Sequence, residues 1–155
     1  MNKSKKQLAE QLYKDKLREI EKMMKKKDIT YLEELDIIGR RLFRTKFRGV
    51  YPSDKIPPLN DLTPYAILNL DRSGEPGSHW VAIARSKHHN GSYFYDSFGR
   101  RHTKLMPNLK MSGNGRIKDT ELDKEQKIRE TNCGQRCLAF LAIYNEYGED
   151  VAKLI

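Results

Sequence analysis

The chain has 155 residues, of which 37% are hydrophobic and 33% are charged, and its formal net charge at pH 7 is +9. Two cysteines are too few for a disulfide framework, and no apolar stretch reaches the roughly 18 residues of a membrane helix. The length suits one domain with a core of its own. We therefore expect a single domain over residues 1–155 that is neither membrane-bound nor secreted.

The first 27 residues are the most basic part of the chain, with ten Lys or Arg against four Asp or Glu. Their helix-forming composition and apolar periodicity predict an amphipathic helix over residues 3–27. Positive charge attracts DNA through counterion release, but it equally fits a solvated helix face. The sequence also leaves open whether the segment is a free arm or a helix packed on the domain. The predicted apolar stripe consists of Leu8, Leu12, Tyr13, Leu17, Ile20 and Met24.

The middle of the chain has the pattern of a helix followed by strands. A second helix is predicted from about Thr30, as its N-cap, to Phe43. Four prolines then indicate extended, turn-rich chain. Three short strands follow at residues 65–70, 79–85 and 92–98, and an Asn-Gly pair between the last two favours a hairpin turn. Both faces of these strands are apolar, so we expect a sheet that is covered on both sides.

The last third of the chain begins with a polar stretch, residues 99–126, that we interpret as irregular. A final helix is predicted from Cys133 to Tyr147, with Gly148 as its C-cap. Strands flanked by helices at both ends of the chain predict an α+β fold.

Both cysteines lie at the start of this final helix, in the stretch ETNCGQRCLAFL (residues 130–141). Their CxxxC spacing is not the CxxC of dithiol redox enzymes, and no second pair of zinc ligands is evident. Cys137 lies inside the apolar run and is interpreted as a core residue. Cys133 lies in the first turn, where the helix dipole favours a thiolate, so it fits a nucleophile as well as a core residue. Gly134 would let a substrate backbone approach closely.

A nucleophilic cysteine needs a base, and His79 is the best placed histidine because it opens a strand beside a loop. Folding the hairpin about residues 87–88 brings His79 opposite Asp96. A carboxylate there would fix the tautomer of the ring and stabilise the imidazolium. Asp96 equally fits a turn residue in its DSFG context.

Together, the segments GSHWVAIA, YFYDSFG and Q-x6-CGQRCLAFL resemble the cysteine proteases of the adenovirus maturation protease (adenain) group and their SUMO-protease relatives. The resemblance implies a papain-like fold with a mostly antiparallel sheet packed against the helix that carries the nucleophile. It implies that Cys133 attacks, that His79 is the base and that Asp96 orients His79. Gln126 would form the oxyanion hole with the Cys133 N–H group. Trp80 corresponds to the tryptophan that flanks the family's site, although a buried strand aromatic is the alternative.

The resemblance implies a viral endopeptidase that processes capsid or other precursor proteins during virion maturation, in the virion or in a nuclear or cytoplasmic viral factory. The short chain is similar to proteases of virophages, polinton-type elements and adeno-like viruses, and cleavage after small residues such as Gly is expected. An isopeptidase for ubiquitin-like modifiers, an acyltransferase and an inactive DNA-binding module are the alternatives. The chemistry needs no cofactor, although DNA or a peptide could activate the enzyme. We expect a monomer.

Overall fold

The computed structural model describes residues 4–24, 31–75, 79–122, 124–126 and 131–155. The helices are α1 (Lys5–Met23), α2 (Tyr31–Phe43), α3 (His102–Leu105), α4 (Cys133–Tyr147) and α5 (Glu149–Ala152), with 3-10 turns at Arg44–Lys46 and Pro107–Met111. The strands are β1 (Phe47–Tyr51), β2 (Tyr65–Asn69), β3 (Trp80–Arg85), β4 (Gly91–Tyr95) and β5 (Arg116–Asp119). The fold is α+β, as predicted. None of the described helices is long and apolar enough to cross a membrane.

The five strands form one sheet in the order β1-β2-β3-β4-β5. The three central strands are the predicted ones and are antiparallel, whereas β1 and β5 pair with their neighbours in parallel. The sheet is therefore mixed rather than mostly antiparallel. The reason is that two edge strands were not predicted, and the long connections at 52–64 and 96–115 bring each of them alongside in the parallel sense.

The central strands are buried on both faces, which confirms the prediction of a covered sheet. Successive side chains of a strand point to opposite faces, so each strand contributes to two hydrophobic clusters. One face packs against α1, α2 and α4, and it includes Ile67, Trp80, Ala82 and Tyr95. The other face includes Leu68, Val81, Ile83 and Phe94, and it is covered by Leu59, Met106 and Leu109.

Helix α4 lies in the middle of the first cluster and is buried on almost every side. Its bounds are the predicted ones, and its C-cap is Gly148, whose φ of 88° is a backbone conformation that favours glycine. Helix α2 begins at Tyr31, and its predicted N-cap, Thr30, lies outside the described residues.

Helix α1 packs along α4 instead of extending as an arm, at least over its described length. Its buried residues are Ala9, Tyr13, Leu17 and Ile20. The prediction placed Leu8 in the apolar stripe, but its side chain is 52% exposed and Ala9 occupies that position of the helix face. A capping box formed by Ser4 and Gln7 fixes the start of the helix.

The β3–β4 hairpin has a different register from the predicted one. Ala82 pairs with Tyr95, so a continued ladder would place residue 79 opposite 98 rather than opposite 96. The loop is centred one residue later than we assumed, because the Ser86 hydroxyl accepts bonds from the N–H groups of His88 and His89 and holds a wider turn. Moving the centre of the loop by one residue changes the partner of each strand residue by two positions.

Candidate active site

Cys133 is the first residue of α4, and it is 8% exposed. The preceding residue, Asn132, makes no side-chain capping bond. Its Oδ1 atom instead accepts a bond of 3.0 Å from Nε of Arg136. The hydroxyl of Tyr31 accepts a bond of 3.1 Å from the Gly134 N–H, but Asn132 caps no N–H group, and the partial positive charge at the amino end of α4 acts on the sulfur of Cys133.

His79 directly precedes β3 and contacts both other members of the predicted triad. Its Nε2 atom is 2.6 Å from Oδ1 of Asp96. The ring is also hydrogen-bonded to the sulfur of Cys133, for which Nδ1 is the remaining nitrogen. The start of β3 and the end of β4 lie at the same edge of an antiparallel pair, and the start of α4 meets them there. The structure thus brings together the three residues that the sequence singled out.

The hydrogen bonds of the site shift the ionisation of Cys133 and His79 in opposite directions. Burial raises the pKa of the Cys133 thiol, but the bond with His79 and bonds from the backbone N–H groups of Trp80 and Gly134 outweigh it and lower the pKa. Burial lowers the pKa of His79, but its bonds to Asp96 and Cys133 outweigh that effect and raise the pKa. Both shifts favour a thiolate next to an imidazolium, which is the reactive form of a cysteine nucleophile.

Asp96 is fixed by a second partner that sequence reasoning missed. Oδ2 of Asp96 accepts bonds from the backbone N–H of Arg100 at 3.0 Å and from its Nε at 2.8 Å. Burial raises the pKa of Asp96, but the bonds from His79 and Arg100 outweigh it and bring the pKa to about 2. Asp96 also begins a tight turn, closed by the Gly99 N–H group. It is therefore both a turn residue and the partner of His79.

Gln126 is buried beside the same turn. Its Oε1 atom accepts a hydrogen bond of 2.6 Å from Oγ of Ser97, and its backbone N–H donates to the carbonyl oxygen of Ser97 at 2.9 Å. Since Ser97 directly follows Asp96, the predicted oxyanion residue lies next to the carboxylate that holds His79. The sequence signal that could have indicated Ser97 was its position inside the DSFG segment.

Trp80 and Gly134 both have roles in packing. Trp80 is buried in the core with its ring 6.3 Å from that of Tyr31, and its backbone N–H bonds to the sulfur of Cys133. A Cβ at Gly134 would lie 2.5 Å from the Tyr31 hydroxyl and 2.7 Å from Leu35. The packing of α2 therefore requires glycine at this position, and the close approach of a substrate backbone stays a prediction.

Cys137 is fully buried, as predicted for a core residue, and both cysteines are free thiols. Burial raises its pKa well above the usual thiol value. Within the described ranges, no group of three or more His, Cys, Asp or Glu side chains could hold a metal ion.

A cavity of about 450 Å³ lies beside Trp80, the residue that follows His79. Its walls include Tyr31, Tyr51 and Trp80, and Asn69 lines it from the end of β2. The segment 71–75 completes the rim. Two of its lining residues connect it to the site, since Trp80 follows His79 and the Tyr31 hydroxyl accepts a bond from the Gly134 N–H.

Comparison with known proteins gives no assignment by similarity. No protein-family model matches the sequence, and no curated protein matches it. Functional assignment therefore depends on the geometry of the site and on the motif resemblance.

Proposed function

We propose that the chain is a papain-like cysteine endopeptidase of the adenain type. The observation that carries the proposal is the position of His79, which is bonded to Asp96 on one ring nitrogen and to the sulfur of Cys133 with the other. The sulfur lies at the amino end of a buried helix whose N-cap residue, Asn132, makes no side-chain capping bond. A structural cysteine needs none of these three features, whereas a nucleophile uses all of them.

The proposed reaction runs through an acyl-enzyme. The thiolate of Cys133 attacks the peptide carbonyl carbon and forms a C–S bond, while the carbonyl oxygen gains the negative charge. The imidazolium of His79 then gives its proton to the leaving nitrogen as the C–N bond breaks. Neutral His79 next takes a proton from water, whose oxygen attacks the thioester and releases the acid and the thiolate.

The negative oxygen of both tetrahedral intermediates requires hydrogen-bond donors in place before reaction. The backbone N–H of Cys133 is one donor, because it belongs to the uncapped first turn of α4. The side-chain amide of Gln126 is the proposed second donor. Its oxygen is held by Ser97, so its NH₂ group points away from Ser97 within the amide plane.

The substrate that we propose is a viral capsid or other precursor protein, cut during virion maturation after a small residue. The motif resemblance supports this substrate, and the cavity beside Trp80 is large enough for several residues of an extended polypeptide. We also propose DNA as an activator. Lys5, Lys14 and Lys22 are exposed on α1, which packs directly on the helix that carries Cys133.

The test is incubation of the purified protein with the capsid precursor encoded by the same genome, followed by mass analysis of new termini. We expect cleavage by the natural protein and by Cys137→Ala, and none by Cys133→Ala. Cleavage by Cys133→Ala would disprove the assignment. Reaction with ubiquitin- or SUMO-based electrophilic probes, without cleavage of the capsid precursor, would favour the isopeptidase alternative.

A further inference from the structure

Gln126 belongs to no helix or strand of the structure, so no backbone ladder fixes its position. Ser97 holds both its backbone and its side chain. The Ser97 carbonyl oxygen accepts bonds from the N–H groups of Glu125 and Gln126, at 2.8 and 2.9 Å, and its hydroxyl donates to the side-chain oxygen of Gln126 at 2.6 Å. Ser97 is fully buried and Gln126 is 2% exposed, so both ends of this hydroxyl–amide bond are held in the interior.

We infer that Ser97 is a positioning residue that holds the Gln126 amide in the orientation needed by the oxyanion hole. This role presupposes the proposed hydrolase activity, since it concerns one group of that reaction. A glutamine side chain has three rotatable bonds, and an amide that must be ordered during the reaction stabilises the transition state less than one already in place. The Ser97 hydroxyl removes that ordering step before substrate binds.

The neighbouring position of Ser97 and Asp96 gives this role a second consequence. Asp96 orients the base and Ser97 orients the oxyanion donor, and they are consecutive residues of the turn after β4. The turn itself is closed by the Gly99 N–H and by the bonds from Arg100 to Asp96. The short turn after β4 therefore positions both the proposed base, His79, and the proposed oxyanion donor, Gln126.

The experiment compares two reactions of Cys133 that differ in whether an oxyanion forms. A tetrapeptide aldehyde that ends in two glycines adds to the thiolate as a hemithioacetal, whose oxygen occupies the oxyanion hole. Alkylation of Cys133 by iodoacetamide forms no such oxygen. The inhibition constant of the aldehyde and the alkylation rate are measured for the natural protein, Ser97→Ala, Ser97→Thr, Gln126→Ala and the Ser97→Ala/Gln126→Ala double variant.

For Ser97→Ala we expect aldehyde affinity and kcat to fall about tenfold, the effect of removing one hydrogen bond, with KM and the alkylation rate unchanged within about twofold. Ser97→Thr keeps the hydroxyl and should restore most of the affinity. Gln126→Ala should lose more affinity than Ser97→Ala, and the double variant should be no weaker than Gln126→Ala because the two residues act through one group.

Three results would overturn the role of Ser97: unchanged aldehyde affinity in Ser97→Ala, an equal loss in aldehyde affinity and alkylation, or additive losses in the double variant. If Ser97→Ala does not fold, Ser97→Cys fills the same space with a weaker donor and must show the same selective loss. A natural protein that neither binds the aldehyde nor hydrolyses peptides would instead reject the proposed function itself.

Discussion

The two cysteines of α4 are one helical turn apart, and the structure gives them opposite properties. Cys133 lies at the uncapped end of the helix beside His79, and its pKa is lowered. Cys137 lies in the next turn, enclosed by the core, and burial raises its pKa. The same residue type on the same helix thus becomes either a thiol whose ionisation is favoured or an apolar core group. The difference depends on which groups the β3–β4 hairpin brings to the first turn.

Replacing each cysteine by alanine gives the largest expected contrast. Cys133→Ala should reduce peptide hydrolysis by on the order of 10⁴- to 10⁶-fold, because no other group can form the acyl-enzyme. Cys137→Ala should keep activity within about threefold and lower the free energy of unfolding by about 1 kcal/mol through the small cavity it leaves. Hydrolysis rates and urea denaturation measure the two effects. Comparable activity losses in both variants would remove the distinction between the two thiols.

Gln126→Ala is the next largest change. It should lower kcat by about 10²- to 10³-fold through removal of one oxyanion donor, while the alkylation rate of Cys133 stays the same. Gln11→Ala, on the exposed face of α1, is a matched control that should change neither quantity. A Gln126→Ala variant with normal kcat would show that the amide takes no part in the reaction.

The pH dependence of thiol reactivity sharpens the comparison without a mutation. Because the pKa of Cys133 is lowered, its alkylation should already be fast below about pH 8.5, the usual thiol pKa, while Cys137 reacts only after unfolding. Hydrolysis should rise with pH as Cys133 ionises and fall again as His79 loses its proton, above its usual value near 6.5. Mass spectrometry identifies the alkylated cysteine, and a pH–rate profile of hydrolysis measures the rise and the fall. Alkylation of Cys137 in the native state would contradict the structure.

Asp96→Asn removes the negative charge bonded to His79, the base beside Cys133, and leaves Cys137 in place. Without the negative charge the pKa of His79 should fall, so the high-pH limb of hydrolysis should move to lower pH. The folded-state pKa of Asp96 is about 2 and its unfolded value is about 3.9, so its contribution of about 3 kcal/mol is present above pH 4 and is lost as pH falls towards 2. Urea denaturation at pH 2.5 and pH 6 should show this loss in the natural protein and a smaller one in the variant.

The smallest expected effect concerns the outer side of α1, remote from both thiols. Lys14→Gln combined with Lys22→Gln should weaken DNA binding and reduce the slope of log affinity against log salt by roughly 2, since each phosphate that a lysine neutralises contributes about 0.9 to that slope. The rate of Cys133 alkylation without DNA should not change. Titrations of a DNA duplex at several salt concentrations measure the slope, and an unchanged slope would exclude these lysines from the DNA-binding surface.

The sequence predicted the elements whose patterns are strongest. Helix α4 has the predicted bounds because an apolar run is bounded by a polar approach and by Gly148. The central strands were found because they are buried on both faces and therefore continuously apolar. The edge strands β1 and β5 were missed because neither is fully buried, and the sequence of β5, RIKD, has no apolar alternation.

The candidate site was predicted to the extent that its groups belong to recognisable motifs. His79, Asp96 and Cys133 are in contact although the assumed hairpin register was wrong by two positions. They meet because both partners of His79 lie beyond the paired residues of β3 and β4, where side chains can reach each other diagonally. Ser97 and Arg100 were missed because their roles depend on a turn whose conformation a sequence does not show.

The hydroxyl group of Tyr13 on α1 bonds to that of Tyr95 at 2.7 Å and accepts a bond from Arg136 on α4 at 3.2 Å. These partners are 82 and 123 positions away, so α1 cannot complete its contacts until α4 has been synthesised. Contacts between such distant residues slow folding. The proposed active site is likewise incomplete until then, because Cys133 is the first residue of α4.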